Sequence, residues 1–163
     1  MKRCCIIVML FVVAAGAAFT PAHAIGIYGS YWNLDKSPDD GWGVGLRQDA
    51  PISPLFAVHT SASWVNFSDA DVDLFPLEAA VVAKIALVYG GIGGGYYIFN
   101  TNNVDLDNNW GWFVVAGAKL ALGGLGVFGE LRWNELSTDI SGTSQSVDLN
   151  GVGVNVGVML GGK

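Results

Sequence analysis

The feature that most constrains this chain is a period of two in its apolar residues from Ile25 onward. Strict alternation of this kind is typical of strands that have one apolar face and one polar or small face. Six segments carry it clearly, at 42–47, 56–64, 77–85, 112–120, 127–133 and 152–160. Segments near 25–34 and 87–99 bring the number of predicted strands to eight. Their lengths are close to the roughly 9–11 residues that a tilted membrane strand needs.

The same pattern excludes most other folds. From Ile25 onward the sequence contains no run of about 18 apolar residues that would form a membrane helix. The chain is 52% hydrophobic and 13% charged, whereas soluble domains carry roughly 25% charged residues to cover their surface. An even number of antiparallel strands can close on itself and leave no edge in lipid. We therefore expect an all-β fold, an eight-stranded antiparallel up-and-down transmembrane β-barrel.

The first 24 residues predict a secretory signal peptide. A basic start at Met1-Lys2-Arg3 precedes an apolar stretch from Cys4 to Phe19, and Ala22-His23-Ala24 provides a small-residue cleavage site. We expect cleavage after Ala24, which leaves 25–163 as the barrel domain and removes both cysteines. The remaining chain has 6 basic and 14 acidic residues and a net charge of −8. An acidic balance argues against nucleic acid as a partner.

A glycine-rich stretch, LVYGGIGGGYYIFN at 87–100, resembles a nucleotide-binding loop only superficially. The G-x-G-x-x-G template fails at Tyr96 when it starts at Gly91, and at Ile98 when it starts at Gly93. The residues that follow favour a strand and not a helix. Gly91, Gly93 and Gly95 share one face of this strand, and we expect that face to point into the barrel and leave room for large side chains.

The tryptophans and the connectors predict how the barrel is oriented. If the first strand runs outward, all six tryptophans fall at the same end of the barrel, as an interfacial aromatic belt would. These are Trp32, Trp42, Trp64, Trp110, Trp112 and Trp133. The longer acidic connectors near 35–40, 69–73, 101–109 and 137–146 lie at that end too. Since outer-membrane barrels have short periplasmic turns and longer outer loops, these connectors are expected to be extracellular.

Charged residues on the inward face predict the content of the barrel. By strand parity the lumen receives a charge network of two acids and four bases: Arg47, Glu78, Lys84, Lys119, Glu130 and Arg132. Charged groups at membrane depth must be paired or hydrated. An eight-stranded barrel leaves an interior just wide enough for side chains. We therefore expect a polar, side-chain-filled lumen in preference to an open pore.

The chain as a whole resembles a known family. The stretches FPLEAAVVAKIALVYGGIGGGYYIFN and WGWFVVAGAKLALGGLGVFGELRWNEL are similar to those of the small eight-stranded outer-membrane barrels of Gram-negative bacteria. That group includes OmpX, the opacity proteins and the transmembrane domain of OmpA. The resemblance implies location in the cell outer membrane, contact with outer-membrane lipid and lipopolysaccharide, and assembly by the barrel assembly machinery.

Catalytic and metal sites are not predicted. His59, Ser61 and Asp73 have a spacing similar to that of the lipid A deacylases, but we favour a polar lumen lining because a triad is defined by geometry. Asp69-x-Asp71-x-Asp73 opens like a calcium loop, yet the required glycine and final glutamate are missing. No cofactor motif is found.

We therefore expect a non-catalytic protein with a structural or surface-interaction role through its acidic loops. The alternatives are a narrow, porin-like channel or carrier of small hydrophobic solutes and, after that, a lipid A-modifying enzyme.

Overall fold

Ten strands make up nearly all of the part of the chain that the structure describes. The computed structural model describes residues 24–36, 40–68, 71–101, 106–140 and 146–161. The strands are β1 (Ala24–Leu34), β2 (Asp40–Pro51), β3 (Phe56–Phe67), β4 (Val72–Ile85), β5 (Val88–Thr101), β6 (Asn109–Leu122), β7 (Leu125–Glu135), β8 (Ser137–Asp139), β9 (Ser146–Asp148) and β10 (Gly151–Leu160). The predicted signal segment lies outside the described residues up to position 23, and Ala24 begins β1.

Eight of these strands form one closed barrel. Their order is β1-β10-β7-β6-β5-β4-β3-β2, and every neighbouring pair is antiparallel. The barrel closes between the first and last strands, whose register runs from Ile25↔Leu160 to Leu34↔Gly151. Closure leaves no unpaired sheet edge. The predicted eight-stranded up-and-down barrel is confirmed.

A small hairpin, formed by β8 and β9, was not predicted. It occupies part of the connector between β7 and β10, with Ser137 paired to Asp148. The Thr138 hydroxyl donates a hydrogen bond to the Asp107 carbonyl, and Leu106 forms an isolated bridge with Ile140. Strands of three residues are too short to show a period of two, so their sequence could not distinguish them from a loop.

The outward face of the barrel is apolar. Large side chains on this face are widely exposed, among them Ile27 at 61%, Ile92 at 59% and Leu131 at 58%. Their inward neighbours Tyr28 and Phe128 are buried, at 5% and 2%. This alternation is the reverse of a soluble protein and matches a surface that faces lipid. Over the described residues, no helix is long and apolar enough to cross a membrane.

Five of the six tryptophans lie on the outward face at the loop end. Exposure ranges from 38% at Trp64 to 72% at Trp110, and Trp42, Trp112 and Trp133 fall between them.

Trp32 is the exception and corrects the predicted belt, because only 4% of it is exposed. In β1 the inward face carries Tyr28, Trp32 and Leu34, whereas Tyr31 takes the outward position and stacks on Trp42 with ring centroids 4.7 Å apart.

Trp32 instead belongs to an apolar plug that closes the loop end of the lumen. The plug comprises Trp32, Leu34, Val65, Phe67, Leu74, Tyr97 and Leu136. Leu74 and Tyr97 have no exposed surface, and Trp32 meets Tyr97 edge to face with ring centroids 6.3 Å apart. These side chains therefore fill the loop end of the lumen over the part of the chain that the structure describes.

The glycines of β5 make close packing inside the barrel possible. A Cβ on Gly93 would lie 2.5 Å from the Ala79 carbonyl oxygen, and one on Gly95 would lie 2.7 Å from Cγ of Glu78. No side chain fits at such distances without displacing the neighbouring strand. The predicted inward glycine face is confirmed.

Candidate functional site

The first of two ion-pair clusters in the lumen is centred on Arg47. Its Nε donates to Asp49 Oδ1 at 2.7 Å, and its Nη1 donates to Glu130 Oε2 at 2.6 Å. Nη1 also donates to the Tyr89 hydroxyl at 3.1 Å, and Nη2 lies 2.6 Å from Nδ1 of His59. Only 3% of the Arg47 side chain is exposed. Protein groups therefore surround the guanidinium in place of water.

The strand register explains why these residues meet. Arg47 and Asp49 are two apart on β2 and so share its inward face. Asp49 is the direct partner of His59 on β3. Tyr89 and Glu130 approach from β5 and β7, and the Tyr89 hydroxyl donates to Glu130 Oε2 at 2.8 Å. Because side chains alternate along each strand, polar side chains from β2, β3, β5 and β7 lie at the same level of the lumen.

The second cluster is a two-pronged pair between Arg132 and Glu78, closer to the loop end. Nη1 and Nη2 of Arg132 donate to the two carboxylate oxygens at 2.8 and 2.7 Å. Glu78 also accepts hydrogen bonds from the Tyr97 hydroxyl at 2.9 Å and from Ser61 at 3.0 Å. The Arg132 guanidinium lies 3.8 Å from the centroid of the Phe113 ring. The further hydrogen bonds to Glu78 offset part of the cost of burying its charge, whereas Nε of Arg132 is buried without a hydrogen-bond partner.

The six residues predicted to form the lumen charge network therefore divide into two ion pairs and two separate lysines. Arg47 pairs with Glu130, and Arg132 pairs with Glu78. Lys119 pairs with Asp49, its Nζ 3.1 Å from Oδ2. Lys84 reaches the turn end of the lumen, where it has no acidic partner among the described residues.

Asp49, Tyr89 and His59 complete the first cluster, and the charge prediction left all three out. Asp49 could have been found from the sequence, because the alternation of 43, 45 and 47 continues to 49 on β2. The prediction ended that strand at Arg47 and therefore assigned Asp49 to a connector. Tyr89 lies on the same strand face as Gly91, Gly93 and Gly95, but nothing in the pattern indicates that its hydroxyl bridges Arg47 and Glu130.

His59, Ser61 and Asp73 do not form a catalytic triad. Ser61 donates to Glu78, and His59 lies against Arg47 and 3.6 Å from Asp49. Asp73 accepts hydrogen bonds from the side chains of Trp64 and Asn66, each at 3.0 Å. Each member is held by different partners, so the predicted arrangement, with His59 as base and Asp73 as its orienting group, is not formed.

The acidic connector sequences form no metal-binding group within the described residues. Asp69, which begins the calcium-like sequence, lies outside the described ranges.

The lumen is asymmetric along its axis. A cavity of about 20 Å³ remains between the two clusters, and one of about 10 Å³ remains between the Arg132–Glu78 pair and the apolar plug. Each is near the size of one water molecule. At the turn end a cavity of about 330 Å³ is lined by Asp49, His59, Lys84, Tyr89 and Lys119 together with alanines of the strand ends. The lumen is thus filled in the middle, plugged at the loop end and hollow at the turn end.

An ion pair joins two connectors outside the barrel wall. The Lys36 ammonium donates to the Asp148 carboxylate. Hydrogen bonds from Lys36 and from the backbone N–H of Asn150 hold the pKa of the Asp148 carboxyl below its usual range. The same hydrogen bond raises the pKa of Lys36. This pair links the β1–β2 connector to β9.

Comparison with solved structures finds the same fold in other proteins. The crystal structure of Neisserial surface protein A (NspA) matches 85% of this chain and 95% of its own, with a TM-score of 0.62 and 10% identity. A de novo designed transmembrane β-barrel matches 87% of this chain and 97% of its own, with a TM-score of 0.50 and 13% identity. The Yersinia pestis outer membrane protein Ail matches 84% of this chain and 99% of its own, with a TM-score of 0.49 and 12% identity.

No protein-family model matches the sequence, and no curated protein matches it either. At identities this low the comparison concerns the fold. At that level the resemblance to the small eight-stranded outer-membrane barrels is confirmed.

Proposed function

We propose that this chain is a non-catalytic outer-membrane protein that acts at the cell surface through its acidic connectors. In this proposal the chain is exported with residues 1–24 as its signal and inserted by the barrel assembly machinery. It is then held among outer-membrane lipid and lipopolysaccharide. The barrel serves as the anchor, and its lumen does not conduct solutes.

The observation that carries the proposal is the filled lumen. Two buried ion-pair clusters, centred on Arg47 and on Arg132, occupy the middle of the barrel, and the apolar plug closes the loop end. A conducting pore needs a continuous wet path, and eight strands leave little room for one. The connectors are then the surface left for recognition.

The loop end has features that suit such a surface. The β8–β9 hairpin is tied to neighbouring connectors through Thr138 and Asp107 and through the Lys36–Asp148 pair. These contacts hold acidic side chains on a defined framework. Acidic groups of this kind would collect divalent cations and interact with the lipopolysaccharide surface.

Three measurements test the proposal. The protein should be recovered in the outer-membrane fraction, and its unheated gel band should differ in mobility from the boiled one. Purified barrels in planar bilayers should give no stepwise conductance above that of bilayers with boiled protein. Lipid A species should be the same in cells with and without the protein.

Two outcomes would contradict the proposal. Reproducible conductance steps would replace the proposal with the narrow-channel alternative. A changed lipid A species would replace it with the lipid-modifying enzyme.

A further inference from the structure

The turn end of the barrel holds a second candidate site that the surface role does not use. Here the cavity of about 330 Å³ is called the turn-side vestibule, and it is lined by Asp49, His59, Lys84, Tyr89 and Lys119. The backbone N–H groups of Lys84 and Lys119 donate to the carbonyls of Leu55 and Leu87 at 2.7 and 2.8 Å. Both lysines are therefore anchored at the turns, with the vestibule between them.

The charges of the lumen do not balance, and the surplus lies in the vestibule. The inward cations are Arg47, Lys84, Lys119 and Arg132, and the inward acids are Asp49, Glu78 and Glu130. Glu78 is engaged by Arg132, Glu130 by Arg47, and Asp49 by Arg47 and Lys119. Within the described residues no acid remains for Lys84. A cation inside a barrel must be paired or hydrated, and the vestibule gives Lys84 room for a counter-ion.

We propose that the turn-side vestibule binds a small anion, a carboxylate or a phosphate, between Lys84 and Lys119. The anion supplies the negative charge that the lumen lacks, and an ammonium is well suited to hold it as a compact point charge. A cation is disfavoured because Asp49 is already contacted by Arg47 at 2.7 Å, Lys119 at 3.1 Å and His59 at 3.6 Å. The anion enters from the turn end, since the plug closes the other.

The proposed anion site is separate from the surface role, and its test does not depend on which membrane contains the barrel. The purified barrel in zwitterionic detergent is titrated with inorganic phosphate and, separately, with acetate, at ionic strength held constant with sodium chloride. Binding is followed by calorimetry and by the amide chemical shifts of Lys84, Tyr89 and Lys119. The two titrations distinguish phosphate chemistry from carboxylate chemistry.

Three variants locate the site. Lys84→Met keeps the length of the side chain but removes its charge, and it should weaken binding by about tenfold or more, as loss of a charged hydrogen bond does. Lys84→Arg keeps the positive charge and should bind the anion more tightly than Lys84→Met does. Lys36→Met removes a lysine at the opposite end of the molecule and should leave affinity unchanged.

Saturable binding that depends on Lys84, with amide shifts confined to the turn end, would support the proposal. Absence of saturable binding for both anions, or equal affinity in Lys84→Met, would overturn it. If Lys84→Met does not fold, the wild-type amide shifts decide instead. Shifts at Lys84 and Lys119 but not at Lys36 support the site, and their absence refutes it.

Discussion

Arg47 shows how much one residue can organise in a narrow barrel. Its guanidinium contacts Asp49, Glu130, His59 and Tyr89 and lies 4.5 Å from the centroid of the Phe128 ring. A planar guanidinium offers five donors in a fixed arrangement, against three for an ammonium, and can therefore serve several acceptors at once. Removing one partner of such a buried pair costs about 3–5 kcal/mol, because the remaining charge is left unpaired. The cluster therefore specifies one arrangement of the strands around it.

Two adjacent tyrosines on β5 allow a test of which strand face points into the lumen, because Tyr→Phe removes only the hydroxyl group. Tyr97 is fully buried and donates to Glu78, whereas Tyr96 is partly exposed and packs against Trp110. Tyr97→Phe should lower the free energy of unfolding in detergent by about 1.5–3 kcal/mol, the value of a hydrogen bond to a charged group. The matched variant Tyr96→Phe should change it little. Equal effects in urea titrations would show that β5 is not oriented as described.

Strand parity was sufficient to predict which residues enter the lumen, but it could not predict their partners. All six predicted charged residues point inward, yet the pairing of Arg47 with Glu130 depends on which strands face each other across the barrel. Parity alone would also have placed Trp32 inside, with Tyr28 and Leu34. The belt prediction used the position of Trp32 along the strand and did not apply its parity. The position of a residue along a strand determines its height in the barrel, whereas its parity determines whether it faces the lumen or the outside.

At the scale of the element, β5 shows how a glycine face lets bulky residues fit. Gly91, Gly93 and Gly95 lie opposite Val82, Ala80 and Glu78 of β4 in the strand register. A Cβ on Gly91 would stand 2.8 Å from Cα of Val82. The absence of side chains there is what allows the β4 residues and the Phe113 ring to fill the lumen.

Gly93→Ala should therefore destabilise the barrel. Its added Cβ would be 2.5 Å from the Ala79 carbonyl and 2.8 Å from Cβ of Ala80, and overpacking of this kind costs about 1–3 kcal/mol. Gly129→Ala is the matched control, because nothing lies within 4 Å of an added Cβ on that outward glycine. The temperature at which the folded gel band disappears should fall for Gly93→Ala and stay near wild type for Gly129→Ala. A fall in this temperature for both variants would indicate that the substitutions act on the strand backbone and not on packing in the lumen.

The connectors form an element of their own, and the Lys36–Asp148 pair gives them a pH dependence. Because the folded carboxyl of Asp148 has a lowered pKa, the pair adds stability above the unfolded pKa of aspartate, near 3.9. That stability is lost as the pH falls through the lower folded value. NMR titration of the Asp148 carboxyl should give a pKa below the usual range in wild type. In Lys36→Met it should move back toward that range, and an unchanged value would exclude the pair.

For the whole molecule, the sequence predicted closure because eight alternating segments can satisfy every backbone group in only a few ways. It could not predict the β8–β9 hairpin, whose strands of 3 residues each are too short for a recognisable alternating pattern. Nor could it predict the vestibule, since a cavity depends on how far the side chains of several strands reach. Lys84 is an example: its inward direction follows from parity, but the absence of an acidic partner among the described residues does not.

Orientation in the membrane is the property of the whole molecule that remains a prediction. The acidic connectors and the five outward tryptophans lie at one end of the barrel, and the short turns lie at the other. Ser68, in the β3–β4 connector, and Leu87, in the β4–β5 turn, are both exposed and represent the two ends. The only cysteines of the chain lie in the predicted signal segment, so a single introduced thiol would be the sole label site after cleavage.

Ser68→Cys should react with an impermeant maleimide on intact cells, because long acidic connectors belong on the outer side. Leu87→Cys should react only after the outer membrane is permeabilised. Since both positions are solvent-exposed in the fold, the difference reports the side of the membrane and not burial. Labelling of Leu87→Cys alone on intact cells would show that the barrel is inverted. The acidic connectors would then face the periplasm, and the turn-side vestibule would take its anion from outside the cell.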